Sequence, residues 1–151
     1  MTEPLEPVQV RIMLIDDQPD RLATVEAKLQ ESGFEVAASL ASANGLLFQI
    51  EQHQPDIVII DLQSPGRDVL ESLSIVNHHS PKPVVMFSEE EDPNFISQAV
   101  DAGVTAYLMH DFNPKKVKPV IDLAIAQFRT YQSLRQQLDD TRSALATRSV
   151  V

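Results

Sequence analysis

Residues 10–19, VRIMLIDDQP, change character midway: an almost unbroken apolar run stops at Asp16 and Asp17, and Pro19 opens a helical segment. A short apolar run rich in β-branched residues reads as a strand buried on both faces. The same pattern recurs in DIVIID (56–61), PVVMFS (83–88) and VTAYLM (104–109), and more weakly in FEVAAS (34–39). Between these runs the apolar residues fall at helical spacing: Leu22, Val25 and Leu29; Leu46, Leu47 and Ile50; Val69, Leu70, Leu73 and Val76; Phe95, Ile96, Ala99 and Val100. Gly33 and Gly103 stand where helices should stop. Strand and helix alternating five times predict an α/β fold, a doubly wound five-stranded parallel sheet with helices on both faces.

The remaining segment is of another kind. Asn113 and Pro114 are suited to cap and open a helix, and past Pro119 nothing stops it until the last few residues. Pro119 lacks an N–H for the helical ladder and predicts an irregular first turn. Phe128, Tyr131, Leu134, Leu138 and Leu145 continue an apolar stripe on a rod longer than the sheet it leaves, so these residues are expected to serve dimerisation by coiled-coil pairing. The division expected is residues 8–126 for the sheet domain and 127–151 for the helical extension.

Composition narrows the function classes. The 151 residues hold no cysteine, which excludes disulfides and thiolate metal sites. The first residues show no signal-peptide pattern and no stretch has the length of a membrane span, so a cytoplasmic location and no membrane contact are expected. The net charge of −10 opposes binding driven by phosphate neutralisation. The charge is unevenly spread: residues 1–113 carry 5 basic and 19 acidic side chains, residues 114–151 carry 7 and 3.

In an open parallel sheet, sites form at the carboxyl ends of the strands, where strand order reverses. Asp16 and Asp17 end the first strand, Asp61 the third, Ser88 the fourth and His110 the fifth. Each acid alone reads as a helix cap or a solvated loop carboxylate. Together they repel unless a cation sits among them, and an oxygen-only ligand set of Asp16, Asp17 and Asp61 suits Mg²⁺. A carboxylate beside such an ion can accept a phosphoryl group.

In this order and spacing LIDDQP, DIVIIDLQSPGRD, VVMFS and AGVTAYLMHDF resemble the receiver domains of two-component response regulators. The resemblance implies metal binding by Asp16 and Asp17, phosphoacceptance by Asp61, a switch made of Ser88 and Tyr107, and the post-acceptor turn at Pro65 and Gly66. It also marks two departures. His110 stands where the family has a lysine, and Glu89 stands where it usually has a small residue. A histidine is shorter than lysine and mostly neutral at pH 7, so both changes weaken support for phosphoryl transfer. The expectation is an atypical receiver, phosphorylation-independent or weakly phosphorylatable. The alternative is a conventional Mg²⁺-dependent receiver phosphorylated on Asp61 by a histidine kinase or a small phosphodonor.

SPGRDVLESL, PVVMFSEEED and the stretch from Lys116 to Arg148 are further similar to antitermination regulators of the nitrate-assimilation and amidase type. That resemblance implies a receiver-like domain, control by a sensor or regulatory protein partner, and a coiled-coil helix leading to the RNA-binding module called ANTAR. Where those RNA-binding helices should begin, the sequence reads SVV and ends. Arg129, Arg135, Arg142 and Arg148 with one aromatic, Tyr131, are too sparse a set for direct nucleic acid binding. No enzyme activity is expected: Leu62 and Gln63 follow Asp61 without the second acid of an aspartyl phosphatase, and no glycine-rich loop follows the first strand. His78 and His79 are adjacent, do not share a helix face, and read as surface residues.

Overall fold

The computed structural model describes residues 9–62, 65–109, 113 and 116–149. Strands β1 (Arg11–Asp16), β2 (Glu35–Leu40), β3 (Ile57–Asp61), β4 (Val84–Phe87) and β5 (Ala106–Leu108) alternate with helices α1 (Pro19–Glu31), α2 (Leu46–His53), α3 (Arg67–His79), α4 (Pro93–Asp101) and α5 (Val117–Ser149). All strand pairs are parallel, in the order β2-β1-β3-β4-β5, so the order reverses between β1 and β3. Each expected strand is present, and the weaker one, β2, is one of the two half-buried edge strands, β5 being the other.

The continuous apolar runs follow from burial on both faces. Ile12, Leu14, Ile57, Ile59, Val85 and Phe87 pack with Val25 and Leu29 of α1 and with Val117, Ile121 and Ala124 of α5. Their neighbours Met13, Ile15, Val58, Ile60 and Met86 point the other way, against Leu46 and Ile50 of α2, Leu70, Leu73 and Val76 of α3, and Ala99 of α4. Each such side chain contributes roughly 1.5–3 kcal/mol by leaving water, which makes β1 and β3 the frame of the domain. Gly33 ends α1 at φ +93°, a left-handed conformation that glycine adopts without steric cost, and the Phe34 N–H then bonds back to the Leu29 carbonyl.

Helix α5 departs from expectation at its start. It opens at Val117, after a turn in which the Lys116 N–H bonds the Asn113 carbonyl; Pro114 lies outside the described residues. The later start places Pro119 within the first turn, where the amide hydrogens have no helical acceptor and its missing N–H costs nothing. At about 1.5 Å per residue, its 33 residues make a rod of about 50 Å. Val117, Ile121 and Ala124 are buried, whereas Tyr131, Leu134, Leu138 and Leu145 are 50–60% exposed.

Candidate functional site

Asp16 and Asp61 are register partners on adjacent parallel strands, which sets their side chains beside each other at the carboxyl edge where strand order reverses. Both are buried, at 1% and 6% exposure. A buried carboxylate needs a counterion or donors, and α1 supplies them. The Gln18 N–H donates to Asp16 Oδ1 at 2.9 Å. Arg21, third residue of α1, donates from Nε to Asp16 Oδ2 at 2.8 Å and from Nη2 to Asp16 Oδ1 at 3.1 Å, a two-pronged clamp. Its Nη2 also donates to the Asp61 carbonyl at 3.3 Å, and its Nε lies 3.4 Å from Asp61 Oδ2. The hydrogen bond to Asp16 raises the Arg21 pKa, opposed by burial and helped by the nearby charges of Asp61, Asp16 and Asp17. The guanidinium is therefore charged at any working pH.

Asp17 is exposed, and its charge adds to the negative field around Arg21. Receiver domains generally hold Mg²⁺ at the phosphorylation site, but the donor set here does not fit an ion as it stands. Arg21 takes both oxygens of Asp16, and among the described residues no three acidic or histidine side chains come together closely enough to hold a metal. Arg21 is absent from the residues expected from sequence. Its signal there was the demand for a cation among the acids, together with an arginine two residues beyond the proline that opens α1.

The two switch positions meet at one residue, Glu90, on the two peptide units that flank it. Ser88, buried after β4, accepts from the Glu90 N–H at 3.0 Å. Tyr107 of β5 donates its hydroxyl to the Glu90 carbonyl at 2.8 Å, and its half-buried ring meets Phe95 of α4 edge-on at 6.4 Å. The acidic loop between β4 and α4 is thus held at Glu90 from both sides, and Asp92 caps α4 by accepting from the Asn94 N–H. Glu89 is exposed. His110 lies outside the described residues, as do Asp111 and Gln63. His78 and His79 are exposed at the end of α3, where His78 Nδ1 is 2.8 Å from the Ser74 carbonyl.

The family described as the response regulator receiver domain matches residues 12–122. The chain belongs to that family. The transcriptional regulatory protein PdtaR of Mycobacterium tuberculosis is 27% identical over 141 residues, covering 93% of this chain and 69% of its own length. The DNA-binding response regulator MtrA of Mycolicibacterium smegmatis is 25% identical over 113 residues, covering 75% of this chain and 49% of its own. Among solved structures, the signal receiver domain of the response regulator NarL from Mycobacterium tuberculosis superposes with a TM-score of 0.68 at 27% identity, covering 78% of this chain and 98% of that one. A CheY-like receiver domain from Methanospirillum hungatei, at 22% identity and a TM-score of 0.70, shares the fold. The protein is accordingly a receiver of two-component signalling, and none of its described helices is long and apolar enough to cross a membrane.

Proposed function

We propose that this receiver signals by association, with itself and with a regulatory protein, and that a phosphoryl group on Asp61 is not its principal switch. The observation that carries the reading is the distal half of α5. Tyr131, Leu134, Leu138 and Leu145 are exposed on one stripe, at heptad positions a, d, a and a, with Thr141 at the intervening d. Arg135 and Arg142 both fall at e. In an antiparallel pair they would face each other; in a parallel pair they face Thr130 and Gln137 at g, so a parallel homodimer is favoured. Phe128 is half-buried and belongs to the root of the rod, where it lines a groove of about 650 Å³ with Asn77, Val100, Gly103 and Tyr131. The groove runs into the stripe through Tyr131 and offers a regulatory protein a surface continuous with the dimer.

His110 at the lysine position and the Arg21 clamp on Asp16 support the secondary place given to phosphorylation. Likeness to the regulator PdtaR over 93% of the chain supports an output in transcription, of the antitermination type that the sequence resembles. Equilibrium sedimentation of the full chain tests the reading: a dimer is expected, with Leu134→Asp and Leu138→Asp together giving a folded monomer. Acetyl phosphate with Mg²⁺, followed by intact mass, should leave most of the protein unmodified and the dimer unchanged. A stoichiometric phosphoryl adduct that alters association would return Asp61 to the centre of the mechanism.

A further inference from the structure

A positive side chain in the first turn of a helix opposes the helix macrodipole, so helix energetics alone do not favour Arg21 at the third position of α1. What holds it there is the pair of carboxylates at the ends of β1 and β3. The guanidinium spans both strands: it takes the two oxygens of Asp16, reaches the carbonyl of Asp61 and stands 3.4 Å from the Asp61 carboxylate. Asp16 Oδ1 also accepts the Gln18 N–H, so its inward-facing acceptor sites are already in use. A divalent cation bridging these acids would require Arg21 to leave and Asp16 to give up its fork of hydrogen bonds. Two cations cannot share this space without strong repulsion.

We propose that Arg21 is the built-in counterion of the acidic edge, occupying the place a divalent cation would need and offsetting part of the edge's negative charge without a metal. The inference deepens the proposed secondary role of phosphorylation, yet stands apart from the dimer. It concerns one residue whose side chain is 34% exposed and can be replaced without opening the core. The guanidinium also gives the edge a fixed geometry, because its planar fork matches the carboxylate of Asp16 whereas a hydrated ion would not.

Titration of the 151-residue chain with Mg²⁺, followed by calorimetry and by the amide resonances of residues 16–18 and 61, tests this directly. Arg21→Gln should bind Mg²⁺ about tenfold or more tightly than the wild type, the effect of removing one positive charge a few ångströms away. Its melting temperature should fall without Mg²⁺ and recover with it, while that of the wild type should not respond to the ion. Arg21→Lys keeps the charge and should stay near the wild type. Equal Mg²⁺ affinity in wild type and Arg21→Gln would overturn the proposal, and so would Arg21→Lys binding as tightly as Arg21→Gln. Should Arg21→Gln fail to fold, the wild type alone decides, since the Arg21 Nε–H resonance should persist through the titration and its displacement by Mg²⁺ would refute the assignment. Any of these failures leaves the sedimentation result intact, whereas a phosphoryl-dependent dimer would refute the association reading whatever Mg²⁺ does.

Discussion

The carboxyl edge of the sheet and the distal half of α5 solve opposite problems. At the edge, polar groups are buried: Asp16 at 1% exposure is answered by a backbone N–H and a two-pronged guanidinium within the same chain. On the rod, apolar groups are exposed, Leu134 at 60%, and no other element of the chain covers them among the described residues. Charge left unanswered in a protein interior is costly, so the chain resolves it internally, whereas an apolar stripe in water loses little until a second surface arrives. The contrast places the self-contained chemistry at the sheet and, under the proposed association, the intermolecular contact on the helix.

Changes confined to one region should leave the other unmoved, and that separation can be broken experimentally. The largest effect expected is from Leu134→Asp with Leu138→Asp, which should weaken the dimer about 100-fold or more, about 3 kcal/mol, with the domain's own melting unchanged. Next, Arg21→Gln should lower unfolding stability by about 2 kcal/mol in chemical denaturation, with the sedimentation constant unaffected. Breaking a fully buried pair costs roughly 3–5 kcal/mol, and the value is reduced here because the Arg21 side chain is 34% exposed. The pKa of Arg21 is raised in the folded state, so its contribution is present below the unfolded value and is lost only as pH climbs through the raised one. Deprotonation of Arg21 should therefore contribute nothing to any change in the gap between wild type and Arg21→Gln from about pH 6 to pH 9.

Smaller still, Tyr107→Phe removes the hydroxyl that donates to Glu90 and should cost about 1 kcal/mol, read by thermal melting. Hydrogen exchange at residues 89–92 should rise with it, while exchange along the tail stays as it was. The least effect is expected at the root of α5, where Lys118 and Asp122 form an exposed ion pair one helical turn apart. Lys118→Gln should change stability by no more than about 0.5 kcal/mol, and salt should erase the difference. An effect of Lys118→Gln as large as that of Arg21→Gln would mean that burial is not what separates the two pairs.

Much of the architecture is legible in the chain itself. The continuous apolar runs of β1, β3 and β4 were legible because a strand covered on both faces is apolar along nearly its whole length, whereas β2 and β5 are the half-buried edges. Asp16, Asp61 and Ser88 were legible as edge residues because each closes such a run. Arg21 was not, since an arginine in a helical segment ordinarily reads as a solvated residue and its partners lie on two different strands. Nor was the joint attachment of Ser88 and Tyr107 to Glu90, which depends on β4 and β5 lying side by side. The start of α5 shifted from Pro114 to Val117 because Pro119 must fall where the first amides have no acceptor.

Periodicity and apolar runs are local properties of the chain, so the sequence by itself determined the strands, the helices, the doubly wound class and the family. Which cation answers the buried acids was decided only by the tertiary structure. That outcome depends on how close the first turn of α1 stands to the ends of β1 and β3, and groups separated by 40 residues along the chain meet at 3.3 Å only once the sheet has formed.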